Sequence, residues 1–326
     1  VSSGRVLVAG ASGYIGRHVV RELQRRGIPS VALVRPGSRF ERDGDAELSG
    51  VEIRYGHVTD PVSVTGDGFR GERFAGVISC IASRTGASED AWQVDCRANE
   101  HLLAAAEALD AGVFVLLSAI CVQRPRLAFQ HAKLAFERRL MASSVNWSIV
   151  RPTAFYKSVA GQLARVLAGK RFLMLGAGDG PACKPISEAD LAAFLTDCLE
   201  DESLQGRILP VGGPDEALTV RERAELIFDI AGRQPRYLRV PLTVLDAAIA
   251  SFDLASRLRP RLADKAEFAR IARYYATESM LLFDVNAGAY DAEATPSYGT
   301  RRLSDFYRNA IRHGMTGQEL GDHALF

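Results

Sequence analysis

The chain has little of what would make it a metalloprotein, a membrane protein or a nucleic-acid binder. Its five cysteines, Cys80, Cys96, Cys121, Cys183 and Cys198, are scattered. None forms a C-x-x-C and none has a histidine at metal-ligand spacing, so the sequence predicts no metal site and reduced, buried thiols. No apolar run approaches the roughly 18 residues of a membrane span. Charge of either sign is not in excess: 40 basic residues face 39 acidic ones, for a formal net charge of +1, which gives no argument for nucleic acid. The first apolar strand begins almost at once, leaving no room for a leader in the sequence given. The expectation is a soluble, cytoplasmic protein.

What is there is a glycine turn. Val6-Leu7-Val8-Ala9-Gly10-Ala11-Ser12-Gly13-Tyr14-Ile15-Gly16 runs a short apolar segment into glycines spaced G-x-x-G-x-x-G, and the amphipathic stretch Arg17 to Arg26 follows directly. Strand, turn and helix in that order suit a dinucleotide. Gly10 permits the tight turn, Gly13 admits a pyrophosphate to the backbone, and Gly16 lets the helix pack closely on its strand. The unpaired N–H groups of the helix start then face the phosphates. Gly10, Ser12, Gly13, Tyr14, Ile15 and Gly16 are therefore the expected phosphate-side residues. The spacing differs from the commoner G-x-G-x-x-G and resembles that of the extended and atypical short-chain dehydrogenase/reductases.

Further strands are predicted at Ser30 to Val34, Val51 to Tyr55, Phe74 to Cys80, Val113 to Ser118 and Trp147 to Val150, with helices at Glu89 to Leu109 and Ala128 to Ala142. The alternation predicts an α/β fold, a Rossmann-like doubly wound parallel sheet with ligands at the carboxyl ends of its strands. Beyond Arg151-Pro152 the rhythm loosens. Capping-box patterns at Ser187 to Asp190 and Thr219 to Glu222 start helices. Arg207 to Val211 is a further strand. Leu242 to Leu258 and Ala263 to Tyr275 are helices joined around Pro260, and Leu303 to His313 is the last. The expected division is an NADP-binding domain over 1–150 and a smaller, mainly helical substrate-binding part over 151–326, with some later segments returning to the sheet.

The end of the second strand sets the form of the cofactor. An acidic residue there would favour NAD, but the chain has Val34-Arg35-Pro36-Gly37-Ser38-Arg39. Arg35 can meet a 2′-phosphate with a planar guanidinium, with Arg39 or Arg17 adding to it, so NADPH is expected. Asp60 is placed on the adenine side, and the segment Cys80-Ile81-Ala82-Ser83 is expected beneath the cofactor, with Cys80 and Ala82 in contact.

In the short-chain reductase pattern a Ser ends the fifth strand and Tyr-x-x-x-Lys lies on the next helix, with Tyr and Lys one turn apart on a shared face. There Lys binds the nicotinamide ribose and lowers the Tyr pKa, so that the phenol can pass a proton. Here Ser118 and Lys133 stand in place, but the tyrosine position is Phe129. Ordinary carbonyl chemistry would lack its acid. Two readings stay open from these residues: an NADP-binding, NmrA-like regulatory protein, or hydride transfer to a carbon–carbon double bond. An isoflavone-reductase-like enzyme acting on a small aromatic substrate is a further alternative.

The later motifs are Arg151-Pro152-Thr153-Ala154-Phe155-Tyr156-Lys157-Ser158, Ala182 to Ala192, Leu209 to Pro214, Arg273 to Met280, Thr295 to Gly299 and Gly314 to Gly321. With Phe129 to Lys133 they resemble the NADPH-dependent divinyl chlorophyllide a 8-vinyl reductases over nearly the whole chain. That resemblance implies reduction of an 8-vinyl group to ethyl on a magnesium chlorin or porphyrin, in chlorophyll or bacteriochlorophyll synthesis, without flavin or iron–sulfur cluster. It implies Lys133 on the ribose and Ser118 orienting cofactor or substrate. Tyr156 and Lys157 are the first proton-donor candidates, followed by Lys184 and Cys183. A flat apolar substrate calls for an aromatic-lined pocket. Phe155, Tyr156, Phe172, Met174, Tyr274, Tyr275 and Met280 are the reservoir, with Lys157, Lys184 or Arg273 available to a propionate. The stretch Val240 to Leu258 is a candidate for peripheral membrane contact, against the plainer reading of helix packing.

Overall fold

The computed structural model describes residues 4–37, 50–259 and 262–314. The chain forms two compact units, one of Val1–Arg151 with Leu191–Leu209, the other of Pro152–Asp190 with Pro210–Phe326.

In the first unit, strand β1 (Val6–Ala9) pairs in parallel with β2 (Ser30–Val34) on one side and β4 (Gly76–Ser79) on the other. β3 (Glu52–Tyr55) flanks β2, while β5 (Val113–Leu117) and β6 (Asn146–Pro152) follow β4, also in parallel. With β9 (Arg207–Val211) at the far edge, the order is β3-β2-β1-β4-β5-β6-β9. Every residue of β1 is fully buried, and each Val or Leu there contributes about 2 kcal/mol by leaving water. The chain winds outward from β1 to β3, then crosses back to β4. The strand order therefore reverses between β1 and β4, and a doubly wound sheet opens its ligand crevice there, at the carboxyl ends. The α/β expectation is borne out, and the late strand Arg207 to Val211 does return to this sheet.

Helix α1 (Tyr14–Arg25) follows the glycine turn. Residues 88–108 run as one helix, α2, through Ser88–Ala91, Trp92–Ala98 and Asn99–Ala108, and its middle segment is wound wider than an α-helix. Helix α3 (Ala128–Met141) packs along that segment. It starts where Gln130 reaches back: Oε1 accepts from the N–H groups of Arg126 and Leu127 at 2.7 and 3.0 Å, and Nε2 donates to the Cys121 carbonyl. Helix α4 (Glu188–Glu200) closes the set. Its first turn has one half of the expected box, with Ser187 Oγ accepting from the Asp190 N–H.

The second unit is less purely helical than the sequence predicts. Among its described residues are three small sheets: β7 (Phe172–Leu175) with β11 (Tyr237–Val240) in parallel, β8 (Ala182–Cys183) with β10 (Leu218–Thr219), and the hairpin β12 (Leu282–Asp284) and β13 (Ala289–Asp291). Strands of two to four residues are too short for alternation to announce them. Helix α5 (Val220–Ile230) opens on a complete capping box between Thr219 and Glu222. Helices α6 (Leu242–Ser256) and α7 (Leu262–Thr277) form a hairpin tied by Arg270 to Asp253 and Arg273 to Asp246; Pro260 lies outside the described residues. Helix α8 (Leu303–His313) has the expected bounds.

Candidate active site

The glycine turn sits where β1 ends, at the reversal of strand order. Gly10 has φ 75°, in the left-handed region that favours glycine. A methyl group there would meet the Cys80 carbonyl at 3.0 Å, and one at Gly16 would lie 2.1 Å from the Gly10 oxygen. Helix α1 opens on Gly13, which brings no side chain of its own to cap it, and a helix start can receive an anion. Arg17 folds back to donate to the carbonyls of Ser12 and Gly13 at 3.3 and 3.4 Å, adding a cation beside the turn. Ser12 and Tyr14 are half-buried beside it, and Ile15 is buried in the sheet-facing side of α1. These features fit a dinucleotide pyrophosphate.

Around the turn, Arg35 is exposed immediately after β2, while Arg39 lies outside the described residues. Asp60 is exposed and caps the helical turn Pro61–Ser63, accepting from the Val62 N–H at 2.9 Å. The N–H of Cys80 donates to the Ala9 carbonyl at 2.9 Å, which lays the Cys80–Ser83 segment against the turn. Ala82 is exposed on it. Cys80 is half-buried, and burial raises its thiol pKa above the ordinary value.

Two buried carboxylates that the sequence reading passed over organise the rest of this unit. Asp95, on the wide segment of α2, is 2% exposed. It pairs with the Lys133 ammonium at 2.9 Å and accepts from the Ser83 hydroxyl at 2.6 Å. Glu137, on α3, accepts from the Ser118 hydroxyl at 2.5 Å and forms an ion pair with Arg151. Ser118 therefore has its proton committed to Glu137, and what it offers a ligand is a lone pair. Phe129, one turn before Lys133, packs against the apolar core. A sequence signal for Asp95 existed: with Asn99 it interrupts the stripe continued by Leu102 and Leu103, and polar groups on a buried stripe call for partners. Glu137 was hidden because it follows Lys133 by four residues and reads as an ordinary surface pair.

The later motifs gather in the second unit. Phe155 bridges to Ile186, and Cys183 to Met280, whose N–H donates to the Ala182 carbonyl at 2.8 Å. Lys184 donates to the Thr295 carbonyl at 3.2 Å and lies against Gly212, whose N–H bonds Pro296. Tyr156 is 1% exposed and its hydroxyl donates to the Arg301 carbonyl. Burial, reinforced by the carboxylates of Asp215, Asp190, Glu188 and Asp305, holds its phenol above the usual tyrosine range. Lys157 is half-buried on the same turn. Burial likewise raises Cys183. Tyr274 is buried and stacks edge-on against Tyr275, which is 36% exposed. Phe172 and Met174 are buried in β7, with Met174 beneath Gly178. Among the described residues no cluster of His, Cys, Asp and Glu is arranged to hold a metal, and no helix is long and apolar enough to cross a membrane.

Residues 10–202 match the model of a family described as NAD(P)H-binding. Among solved structures, the leucoanthocyanidin reductase–NADPH complex of Vitis vinifera is similar in fold, with a TM-score of 0.69 at 17% identity over 95% of this chain and 100% of that one. Likeness to curated relatives is far higher. The chain is 49% identical to the chloroplastic divinyl chlorophyllide a 8-vinyl-reductase of Oryza sativa subsp. indica, over 100% of this chain and 83% of the rice protein. It is 46% identical to the enzyme of that name from Arabidopsis thaliana, over 97% of this chain and 79% of the plant protein. With a turn that fits a dinucleotide, and identity of this order over 97–100% of its length, the chain belongs to the divinyl chlorophyllide a 8-vinyl reductase family.

Proposed function

We propose that the protein is an NADPH-dependent oxidoreductase that reduces the 8-vinyl group of divinyl chlorophyllide a, or of divinyl protochlorophyllide, to ethyl. The observation that carries this reading is the full-length identity to the rice reductase, because the first unit alone suits many NAD(P)H enzymes. The loss of the phenol at Phe129 supports it. A vinyl group has no oxygen that must be protonated, and negative charge left by hydride addition spreads into the conjugated macrocycle.

NADPH supplies the hydride, and one proton from the protein or water completes the ethyl group. The first unit takes the cofactor: Gly10 to Gly16 receive the pyrophosphate, Arg35 the 2′-phosphate, and Lys133 the nicotinamide ribose. Ser118 accepts a hydrogen bond from the ligand, since Glu137 takes its own proton. The second unit recognises the pigment through Phe155, Lys184, Tyr274, Tyr275 and Met280. As proton source we assign Lys157 or water ahead of Tyr156. The Tyr156 hydroxyl is already bonded to Arg301, and its raised pKa makes it a weaker acid. Orientation of the vinyl group supplies much of the rate.

We further place the protein in the aqueous compartment beside pigment-bearing membranes, which is cytoplasmic in a cell without plastids. The α6 end favours contact with an anionic lipid surface: Leu254 and Leu258 are 65% and 88% exposed beside Arg257 and Arg259.

The assay is direct. Protein, NADPH and divinyl chlorophyllide should give a small blue shift of the Soret band with matched NADPH consumption. Tight NADPH binding with no shift on any divinyl pigment would leave the regulatory reading in its place.

A further inference from the structure

We propose that Asp95 is a positioning residue of the cofactor site: its carboxylate pins the Lys133 ammonium and the Ser83 segment together, so that both meet the dinucleotide already ordered. This rests on reading the glycine turn as an NADPH site.

The geometry assigns each oxygen of the carboxylate. Oδ1 receives Lys133 Nζ at 2.9 Å and, more weakly, the Ser83 N–H at 3.4 Å, while Oδ2 receives the Ser83 hydroxyl at 2.6 Å. Three elements therefore converge on one side chain: α2 supplies it, α3 brings Lys133, and the segment after β4 brings Ser83. Asp95 is itself held. Asn99 Nδ2 donates to the Asp95 carbonyl at 3.1 Å, and Asn99 Oδ1 accepts from the Ser79 hydroxyl at 2.6 Å, at the end of β4. Asp95 lies in Trp92–Ala98, the more widely wound stretch of α2, a local irregularity that recurs at functional positions.

Burial argues against a purely structural pair. The side chains of Asp95 and Lys133 are 1% and 11% exposed. Desolvating two charges costs so much that an apolar pair of similar volume would stabilise the fold as well or better. What an apolar pair could not do is hold an ammonium with donors to spare. Lys133 has three N–H bonds and uses one on Asp95, leaving two for a hydroxyl-bearing ligand. A lysine on four rotatable bonds loses much freedom when it binds. Fixing it beforehand moves that loss into folding and out of the binding step.

A double-substitution cycle read by NADPH affinity tests this without any pigment. The dissociation constant is measured by NADPH fluorescence for the unaltered protein, Asp95→Asn, Lys133→Ala and the pair, with melting temperatures of the cofactor-free proteins recorded alongside. Each single change is expected to weaken NADPH by about tenfold. In the Lys133→Ala background, Asp95→Asn should cost nothing further, or restore some affinity by removing an unpaired buried charge. Equal losses in both backgrounds, or no loss at all, would overturn the proposal; a structural role would lower the melting temperature without that dependence on Lys133. Should Asp95→Asn fail to fold, Ser83→Ala takes its place in the cycle. It removes only the Oδ2 donor, and its loss of about threefold should likewise vanish without Lys133. An unaltered protein that binds no NADPH would instead defeat the reading of the turn. Binding that is indifferent to Lys133 would defeat this proposal alone.

Discussion

The two units reach order by different means. In the first, β1, β2, β4 and β5 are buried along their whole length, so each strand is held from both faces of one continuous sheet. In the second, the paired strands run two to four residues, and α6 has no buried side chain. Order there leans on single polar contacts between distant segments: Tyr156 to the Arg301 carbonyl, the Arg301 N–H to Asp190, the Leu303 N–H to Asp215, Lys184 to the Thr295 carbonyl. The first unit needs its glycines to keep backbone in contact with backbone. The second needs its polar side chains to close long loops. The glycine turn thus belongs to the unit built on one continuous sheet, and most of the specific motifs lie in the unit closed by single polar contacts between distant segments.

Three substitutions test that contrast, and the largest effect belongs to the glycine turn. Gly16→Val places a side chain against the Gly10 carbonyl and should destabilise the protein by about 3 kcal/mol while abolishing NADPH binding. Thermal unfolding and fluorescence titration read both, and a variant that binds NADPH normally would break the account of the turn. Tyr156→Phe probes the polar closures of the second unit. It should cost about 1 kcal/mol of stability and, if Lys157 or water is the proton source as proposed, leave turnover within about twofold. Its raised pKa has a definite sign: the folded state is favoured below the ordinary tyrosine value of about 10, and that contribution fades as pH rises through the raised value. The alkaline fall in stability should therefore soften in the variant. Loss of turnover by orders of magnitude would return Tyr156 to catalysis. Smallest of all, Leu258→Glu on the exposed end of α6 should change stability by less than about 0.5 kcal/mol, yet weaken sedimentation with anionic vesicles. Unchanged sedimentation would remove the lipid contact.

How much of this was legible cuts across the two units and follows distance along the chain. The turn, Ser118 and Lys133 could be found because their chemistry is written in one short segment or at one strand end. Asp95 and Glu137 were not named, since each finds its partners across the fold: Ser83 and Lys133 for one, Ser118 and Arg151 for the other. The capping box at Thr219 was plain in the sequence. The pairing of β7 with β11 was not, because register between such short strands is fixed by packing that no local pattern records.

The central claim is that hydride goes from NADPH to a vinyl carbon of the pigment, and isotope transfer tests it most directly. With NADPH carrying deuterium at both C4 positions, the product of divinyl chlorophyllide a should contain one deuterium on the terminal carbon of its new 8-ethyl group, with one NADPH oxidised per ethyl formed. A pigment returned without deuterium there, or labelled instead at a reduced ring carbonyl, would contradict the account.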